Sequence, residues 1–366
     1  AFKDKVISRD LREVEPFRAP KYRAHTDNVQ FNTEWDVTNS LTATALVAYN
    51  ENHTSSRYDT TGGLPTVAFP ASAVAPGGFL NDPQMGLSDR FRGENGGRND
   101  NHQWSAEVRL QSDFDGPINF NVGGLYLNYN AEAVTYVATN AATRAAPIIN
   151  PAAYIDPLAI PDYTGHNYYI SRSQYELKSK ALMGEVYIDP VRDIRVTVGL
   201  RYTDDDKWTQ GSGSTLFVAG RGPIYSAPQT ARFKEVTGRF NVDWSPELSF
   251  TDKTLIYASY SKGYKGGGFN PPGVIALGLP ATYDPEFINA YEVGTKNTFA
   301  NGRLTLNLTG FYYDYKGYQI GRSVNRSVFN ENIDATIKGL EIEFIAEPVR
   351  GLRINSNLGL LDTEIK

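Results

Sequence analysis

The sequence of 366 residues contains no cysteine, only two methionines and only four histidines. Without cysteine it holds no disulfide scaffold, no thiolate zinc site and no cysteine nucleophile. The histidines lack the i, i+4 spacing of a helical zinc pair. They are His25, His53, His102 and His166. No motif indicates a metal site, a bound cofactor or a catalytic centre.

Two further absences narrow the class of protein. The formal net charge is -5 and no block of Lys and Arg occurs, whereas a nucleic-acid binder needs clustered positive charge. No apolar run reaches the roughly 18 residues of a membrane helix, and the start, AFKDKVISRD, has no secretory apolar region. We expect no nucleic-acid partner and no membrane helix, and we expect any export leader to have been removed.

Aromatic residues and glycine are abundant instead, with 23 Tyr, 18 Phe and 33 Gly. Aromatic side chains favour strands and glycine favours tight turns. Apolar and polar residues also alternate with a period of two, most clearly in IRVTVGLRYT (Ile194 to Thr203). Charged residues fall on the polar positions of such segments, and they include Glu107, Arg109, Glu292, Lys296, Glu341 and Glu343.

About twelve such segments occur, of roughly 9–14 residues, and a strand crosses a bilayer in about 9–11 residues. The links between them alternate between short and long. The long, polar links lie at about residues 53–101, 131–173, 207–231, 265–285 and 317–331. This pattern predicts an all-β fold, a transmembrane antiparallel β-barrel with short periplasmic turns and long external loops.

A soluble β-sandwich or propeller is the alternative, because it also has alternating strands. Sandwich strands are shorter, at about 5–6 residues, and a dry core does not accept charged inward faces. Aromatic residues favour the barrel as well. Trp244 lies beside a short link, and a set of tyrosines near the long links predicts the second of two interfacial girdles. That set is Tyr260, Tyr264, Tyr312, Tyr313 and Tyr315.

Several blocks of sequence resemble the barrel of TonB-dependent outer-membrane receptors of Gram-negative bacteria. They are LIYASYSKGYKGGGFNPPG, then YDPEFINAYEVGTKNTFANGRLTLNLTGFYYDYKGYQI, then NIDATIKGLEIEF. The stretches GLRYTDDDK and WSAEVRLQSDFDGPINFNVGGLY are similar to earlier strands of that family. The resemblance runs from about Asn28 to Lys366. It implies a barrel of about 22 strands, closed by an N-terminal plug, that imports a scarce ligand with energy delivered through TonB.

Nothing at the start of the chain resembles a plug, and its end, LLDTEIK, lacks the terminal aromatic residue common in such barrels. We therefore expect residues 28–366 to be a portion of the larger barrel and residues 1–27 to be a preceding strand end or loop. The plug would lie outside this chain. A separate barrel of about twelve strands is the alternative.

The resemblance implies a small-molecule ligand, most often a siderophore-like chelate in iron uptake, and contact with TonB through the plug. Membrane lipid and lipopolysaccharide are the other expected partners. We predict that the ligand meets aromatic and cationic residues at the outer rim. These are Arg201, Tyr264, Lys265, Phe269 and Tyr313. The alternative function is a passive porin-like or structural barrel, and an enzyme at the rim, using His102 or His166, is a third.

Three local patterns have competing interpretations. The glycines Gly266 to Gly268 follow Lys265 and precede Pro271, so they match neither a P-loop nor a dinucleotide fingerprint, and we expect a bending external loop. The run Asp204 to Asp206 is either a Ca²⁺ ligand set or a solvated rim. The loop arginines Arg90, Arg92 and Arg98 either meet anions, such as lipopolysaccharide phosphates, or lie in a flexible loop.

Overall fold

The chain folds almost entirely into antiparallel strands. A computed structural model describes residue 16 and residues 18–60, 68–82, 85–151, 169–215, 224–271, 278–324 and 327–366. The long strands are β1 (Lys21–Thr38), β2 (Leu41–Asp59), β5 (Gly93–Ser112), β6 (Ile118–Thr139), β7 (Tyr169–Val191), β8 (Ile194–Thr215), β10 (Gln229–Trp244), β11 (Lys253–Lys265), β14 (Glu286–Phe299), β15 (Leu304–Val324), β16 (Ser327–Val349) and β17 (Leu352–Ile365).

The remaining elements are small. They are the short strands β3 (Leu80–Asp82), β4 (Gly86–Ser88), β9 (Ile224–Tyr225), β12 (Gly268–Phe269) and β13 (Thr282–Tyr283), the helix α1 (Asn140–Ile149) and a 3-10 turn at Pro76–Gly78. No helix within the described ranges is long and apolar enough to cross a membrane.

Each long strand pairs with the next long strand along the chain, so the sheet is a continuous up-and-down meander from β1 to β17. Strand β9 pairs with β8, while β3 with β4 and β12 with β13 form separate hairpins. Among the residues that the structure describes, β1 pairs only with β2 and β17 only with β16. Both edge strands are exposed along their whole length, so the sheet is open at both edges.

The register gives the sheet one apolar face, here called the outer face, and one polar face, the inner face. Ile194 on β8 lies opposite Trp244 on β10, which lies opposite Ile256 on β11, and this apolar row repeats at every second residue. All the mid-strand charges that the sequence assigns to the polar positions lie on the inner face, as predicted: Glu107, Arg109, Glu292, Lys296, Glu341 and Glu343.

Aromatic side chains bound the apolar band of the outer face at both ends. Tyr260, Tyr291 and Tyr312 are neighbours on adjacent strands, with ring centroids 5.0 Å and 6.3 Å apart. Trp244 marks the other end, beside a short turn. On β8 the band runs from Ile194 to Tyr202, which is close to the 9–11 residues of a membrane-crossing strand.

The alternation of strand residues decides which of the predicted girdle tyrosines face lipid. Tyr312 lies on the outer face, so the adjacent Tyr313 and also Tyr315 lie on the inner face and are not part of the girdle. The prediction that all five rim tyrosines form one belt was wrong in this respect, since neighbouring residues of a strand point to opposite sides.

The strands are longer than the sequence indicated. They contain 13 to 23 residues, against a predicted 9–14. Residues 317–324 and 327–331, predicted to lie in a long loop, are the paired ends of β15 and β16. His25, His53 and His102 likewise lie inside strands, while His166 lies outside the described residues. Backbone hydrogen bonds continue the ladder beyond the apolar band without any alternation of side chains, so the alternating pattern marks only part of each strand.

Candidate functional site

The glycine-rich segment after β11 folds back over the inner face instead of extending outward. We call residues 265–271 and 278–285 the rim loop. Its hairpin pairs Gly268 with Tyr283 and Phe269 with Thr282, and the amide of Asn270 donates to the carbonyl of Ala281 at 2.8 Å. The rim loop is therefore ordered by its own short ladder.

Strand β8 holds one side of the rim loop. Lys207 Nζ donates a hydrogen bond to the carbonyl oxygen of Gly267 at 2.6 Å. Tyr264, at the end of β11, donates from its hydroxyl to Asp205 Oδ2 at 3.2 Å. Both β8 residues belong to the inner face, so the loop is attached to the wall on the inner side of the sheet.

Strands β15 and β16 hold the other side. Gln319 Nε2 donates to the carbonyl oxygens of Gly266 at 3.2 Å and Asp284 at 3.1 Å. Asn270 Nδ2 donates to the carbonyl of Asn330 at 3.1 Å, and Asn270 Oδ1 accepts from the Asn330 amide at 2.8 Å. The rim loop thus bridges from β8 to β16 across the top of the inner face.

Close backbone approach explains two of the three glycines. A Cβ atom on Gly267 would overlap the carbonyl oxygen of Tyr283 and the ring of Phe233. A Cβ atom on Gly268 would overlap the ring of Tyr283. A side chain at Gly267 would push the rim loop away from the wall at Phe233, and one at Gly268 would displace the Tyr283 ring within the loop's own hairpin.

Burial shifts the pKa of two titratable groups at the contact between the rim loop and the wall. Both groups lie beyond the apolar band. Burial lowers the pKa of the Lys207 ammonium, which also lies 5.4 Å from the centroid of the Phe233 ring. Burial, together with the charge of Asp205, raises the pKa of Tyr264. Tyr264 therefore keeps its proton at neutral pH and remains the donor to Asp205.

The predicted ligand residues lie at two heights. Tyr264, Lys265 and Phe269 belong to the rim loop or the strand end that leads into it, and Lys265 Nζ lies 3.3 Å from Glu286 Oε2. Arg201 lies lower on the inner face of β8. Tyr313 lies on the inner face of β15, where it donates to a glutamate on β14 at 2.5 Å. Within the described ranges, no hydrogen bond or ion pair joins any two of the five.

Below the rim loop, Arg109, Arg201 and Arg239 line a depression of about 440 Å³ together with Met183 and Glu185. Arg239 forms a bidentate ion pair with Glu185, at 2.5 Å and 2.8 Å. Arg201 donates instead to a threonine hydroxyl at 3.2 Å and to Met183 Sδ at 3.7 Å. In the part of the chain that the structure describes, Arg201 has no carboxylate partner.

The partners of these residues could not be predicted from the sequence. Lys207, Gln319 and Asn330 hold the rim loop from distant parts of the chain. The three arginines come from separate strands and meet only through the register of the sheet. The register of the sheet decides which residues of neighbouring strands lie side by side, and the register cannot be read from a single sequence.

The other candidate patterns have local explanations. Asp204 and Asp206 lie on the outer face and Asp205 on the inner face, so these three carboxylates diverge and do not form one Ca²⁺ site. The three arginines predicted to lie in a loop have partners within the chain. Arg90 lies 3.4 Å from Asp89, and Arg92 donates to a backbone carbonyl at 3.1 Å. Arg98 lies within β5, not in a loop, and pairs with carboxylates at 2.7 Å and 3.3 Å.

Comparison with known proteins gives consistent results. A family model described as TonB dependent receptor-like, beta-barrel, matches residues 6–365. The metal-pseudopaline receptor CntO of Pseudomonas aeruginosa is 25% identical over 195 residues, which cover 53% of this chain and 25% of that receptor.

Solved structures show the same fold. The ferric yersiniabactin uptake receptor FyuA from Yersinia pestis aligns with 95% of this chain and 44% of its own, with a TM-score of 0.63 and 16% identity. The ferric-catecholate import receptor Fiu from E. coli K12 aligns with 94% of this chain and 48% of its own, with a TM-score of 0.59 and 13% identity. The chain therefore spans a quarter of the curated receptor and less than half of each solved one.

These results confirm the predicted transmembrane β-barrel architecture and the bacterial outer membrane as its location. They also exclude the enzyme alternative, because proteins of this family are transporters. Because the family model matches all but the first five residues and the last one, this chain belongs to the β-barrel family of TonB-dependent receptors.

Proposed function

We propose that the full-length protein takes up a scarce small ligand, a siderophore-like metal chelate, with energy delivered by TonB. The observation that carries the proposal is the rim loop, which lies across the inner face above the arginines of the depression. A ligand moving down the inner face meets both. The similarity to a metal-pseudopaline receptor supports a metal chelate as the cargo.

In this proposal residues 28–366 form part of a barrel of about 22 strands, and residues 21–27 belong to the same barrel as the first part of β1. The open ladders of β1 and β17 support a larger barrel, because unpaired edges in a bilayer leave backbone groups without hydrogen bonds. A plug and a TonB-contacting segment would then belong to other parts of the full-length protein.

The ligand-contacting residues are Arg201, Tyr264, Lys265, Phe269 and Tyr313. Arg201 has the strongest support, because its guanidinium lacks a carboxylate partner in the described part of the chain while Arg239 beside it is paired. An unpaired guanidinium is suited to bind the carboxylate or phenolate oxygens of an anionic chelate. Lys265, with a side chain 61% exposed, supplies a second cation at the mouth.

The rim loop takes part in ligand entry. Side-chain hydrogen bonds, each worth about 1 kcal/mol, attach it to the wall. Releasing a few such bonds costs only a few kcal/mol, so ligand contacts are able to displace the loop.

Uptake measurements test this function. The full-length receptor is expressed in cells with and without TonB, and accumulation of radioiron is measured with carboxylate-type and catecholate-type ferric chelates. We expect accumulation of at least one chelate only in the presence of TonB. Arg201→Gln should reduce that uptake by roughly tenfold, as expected for the loss of a charged contact. Arg195→Gln, which removes an inner-face arginine near the short turns, is the control and should leave uptake unchanged.

Conductance measurements distinguish active import from the passive, porin-like alternative. A plugged receptor in a planar bilayer should be nearly closed, whereas a porin-like barrel should be open. A large steady conductance, or uptake that does not depend on TonB, would contradict active import.

A further inference from the structure

Two of the four histidines of the chain lie with two carboxylates on the outer face of β2 and β5. The register places Glu51 opposite His102 and His53 opposite Asp100. The imidazoles therefore occupy one diagonal of a square and the carboxylates the other. All four project to the side of Trp104, because an even number of residues separates His102 and Asp100 from it along β5. We call these four residues the histidine square.

The histidine square begins one row above the membrane. Tyr49 and Trp104 lie opposite each other in the next outward-facing row below it, with ring centroids 4.7 Å apart. Aromatic rings of this kind mark the headgroup level in membrane barrels. The square therefore lies outside the hydrocarbon and on the outside of the wall, where a ligand on the inner face does not reach it.

The two imidazoles of the square have different contacts. His53 Nε2 lies 3.0 Å from Glu51 Oε1, and His53 Nδ1 lies 2.9 Å from Asp100 Oδ1. A neutral imidazole has a single N–H, so only one of these contacts is a hydrogen bond unless the ring takes up a second proton. His102 is exposed and makes no hydrogen bond or ion pair in the part of the chain that the structure describes. The square thus holds one imidazole that faces two acceptors and one that is free to turn.

The surroundings of the square carry excess negative charge. A depression of about 430 Å³ is lined by the four residues of the square together with Arg98 and Glu132. Arg98 is shared between Asp100, at 2.7 Å, and Glu132, at 3.3 Å. Glu51 has no Lys or Arg partner among the described residues. Three carboxylates against one guanidinium leave these groups with a net charge of −2 while the histidines are neutral, and a divalent cation would balance it.

We propose that the histidine square binds a divalent transition-metal ion, with Zn²⁺ as the best fit. Two imidazole nitrogens and two carboxylate oxygens are a donor set that Zn²⁺ accepts in tetrahedral coordination, whereas Mg²⁺ and Ca²⁺ prefer oxygen donors alone. Opposite residues of an antiparallel pair have Cβ atoms about 4.5–5.5 Å apart, and diagonal neighbours are about 7–8 Å apart. Four side chains at this spacing are able to reach one ion.

Binding requires a change of side-chain conformation but not of the backbone. Within the described ranges, no three side chains of this kind already converge on one point. Rotation of His102 and Glu51 brings their donors toward His53, and such rotations at a surface take only nanoseconds. The ion then links β2 to β5 through side chains. Because coordination needs neutral imidazoles, affinity should fall as pH drops below the ordinary histidine pKa of about 6.5.

Metal binding to the full-length receptor tests the proposal. The receptor is purified in detergent, stripped with a chelator and titrated with Zn²⁺ in a calorimeter near neutral pH. We expect the double variant His53→Asn with His102→Asn to bind one Zn²⁺ ion fewer than the wild type, and excess Mg²⁺ should not compete. The matched control is His25→Asn, which removes the histidine opposite His53 on β1 and should keep the ion.

Hydrogen exchange locates the ion. Zn²⁺ should slow exchange of the amides at residues 50–54 and 99–103 severalfold in the wild type and in His25→Asn, but not in the double variant. Glu51→Gln, which keeps the side-chain size, should weaken binding severalfold and serves if the double variant does not assemble. Heat-modifiable gel migration reports that each barrel is folded.

The proposal does not depend on active import, so the double variant should accumulate the ferric chelate as the wild type does. Three results would overturn the proposal. They are equal numbers of bound Zn²⁺ ions in the wild type and the double variant, an equal loss in His25→Asn, and protection by Zn²⁺ that leaves residues 50–54 and 99–103 unaffected.

Discussion

The part of each strand inside the apolar band, here called the lower region, differs in its side-chain pattern from the part above the band, the upper region. Within the band, as from Ile194 to Tyr202 on β8, one face is apolar and the other polar. Above it, Asp204, Asp205 and Asp206 are polar on both faces, yet the ladder to β7 and β10 continues without interruption. The alternation reflects lipid on one side and water on the other, whereas the ladder needs only backbone hydrogen bonds.

The upper region gains order from side-chain contacts. The pair of Arg232 with Asp204 joins two strands, and the hydrogen bonds of Lys207 and Gln319 hold the rim loop. Contact between apolar side chains and lipid therefore stabilises the lower region, whereas hydrogen bonds and ion pairs between polar side chains stabilise the upper region. Substitutions in the two regions should differ in size and in kind.

The largest difference in stability between the two regions is expected when a charge is placed on the outer face. Val198, midway between Ile194 and Tyr202 in the band, changed to Arg should destabilise the full-length barrel in lipid vesicles by about 2–4 kcal/mol. Thr230→Arg, on the same face above the band, should change stability by less than about 0.5 kcal/mol. The free energy of unfolding in urea measures both. Similar losses at the two positions would show that the boundary at Tyr202 is misplaced.

The next effect concerns the close packing of the rim loop. Gly267→Val would overlap Tyr283 and Phe233 and should cost about 1–3 kcal/mol of local stability. Hydrogen exchange of the loop amides measures the loss. Gly116→Val in the short turn between β5 and β6, where a Cβ atom meets nothing, is the matched control and should leave exchange unchanged. Unchanged protection in the Val variant would mean that the loop does not rest on the wall.

A smaller effect is expected from removing one hydrogen bond of the rim loop. Lys207→Met keeps much of the side-chain volume but removes the donor to Gly267. Protection of the loop amides should fall by about 1 kcal/mol, while the rest of β8 keeps its protection. Lys234→Met, which changes an outward lysine that forms no hydrogen bond or ion pair in the described residues, controls for charge. Equal hydrogen exchange in the two variants would show that Lys207 does not hold the rim loop.

The smallest expected effect is a dependence of the stability of the upper region on pH. The hydrogen bond with Asp100, 2.9 Å from His53 Nδ1, raises the pKa of His53 above its ordinary value. The stabilisation linked to this shift is complete below the ordinary histidine pKa of about 6.5 and is lost as pH rises through the folded pKa. Histidine NMR signals measure the titration. Asp100→Asn should lower the pKa of His53, and an unchanged titration would show that the contact is absent in solution.

The sequence predicted the lower region well and the upper region poorly. The faces of β8 between Ile194 and Tyr202, the short turns and the inward charges follow from alternation and spacing alone. The return of Gly266 to Gly268 onto the inner face did not follow, because its partners Lys207 and Gln319 lie more than fifty residues away in the chain. Contacts set by register and by loop folding require the three-dimensional structure.

The placement of the rim loop across the ligand's path is tested most directly by a reversible crosslink. Asn270→Cys and Asn330→Cys are introduced together into the full-length receptor, since this chain contains no other cysteine and the two residues are joined by hydrogen bonds. A short bifunctional thiol reagent with a cleavable link is added to cells, and TonB-dependent chelate accumulation is measured. We expect a crosslink in the double variant alone, with uptake lost and then restored by cleavage. A double variant that does not crosslink, or one that crosslinks and still accumulates the chelate, would contradict this placement.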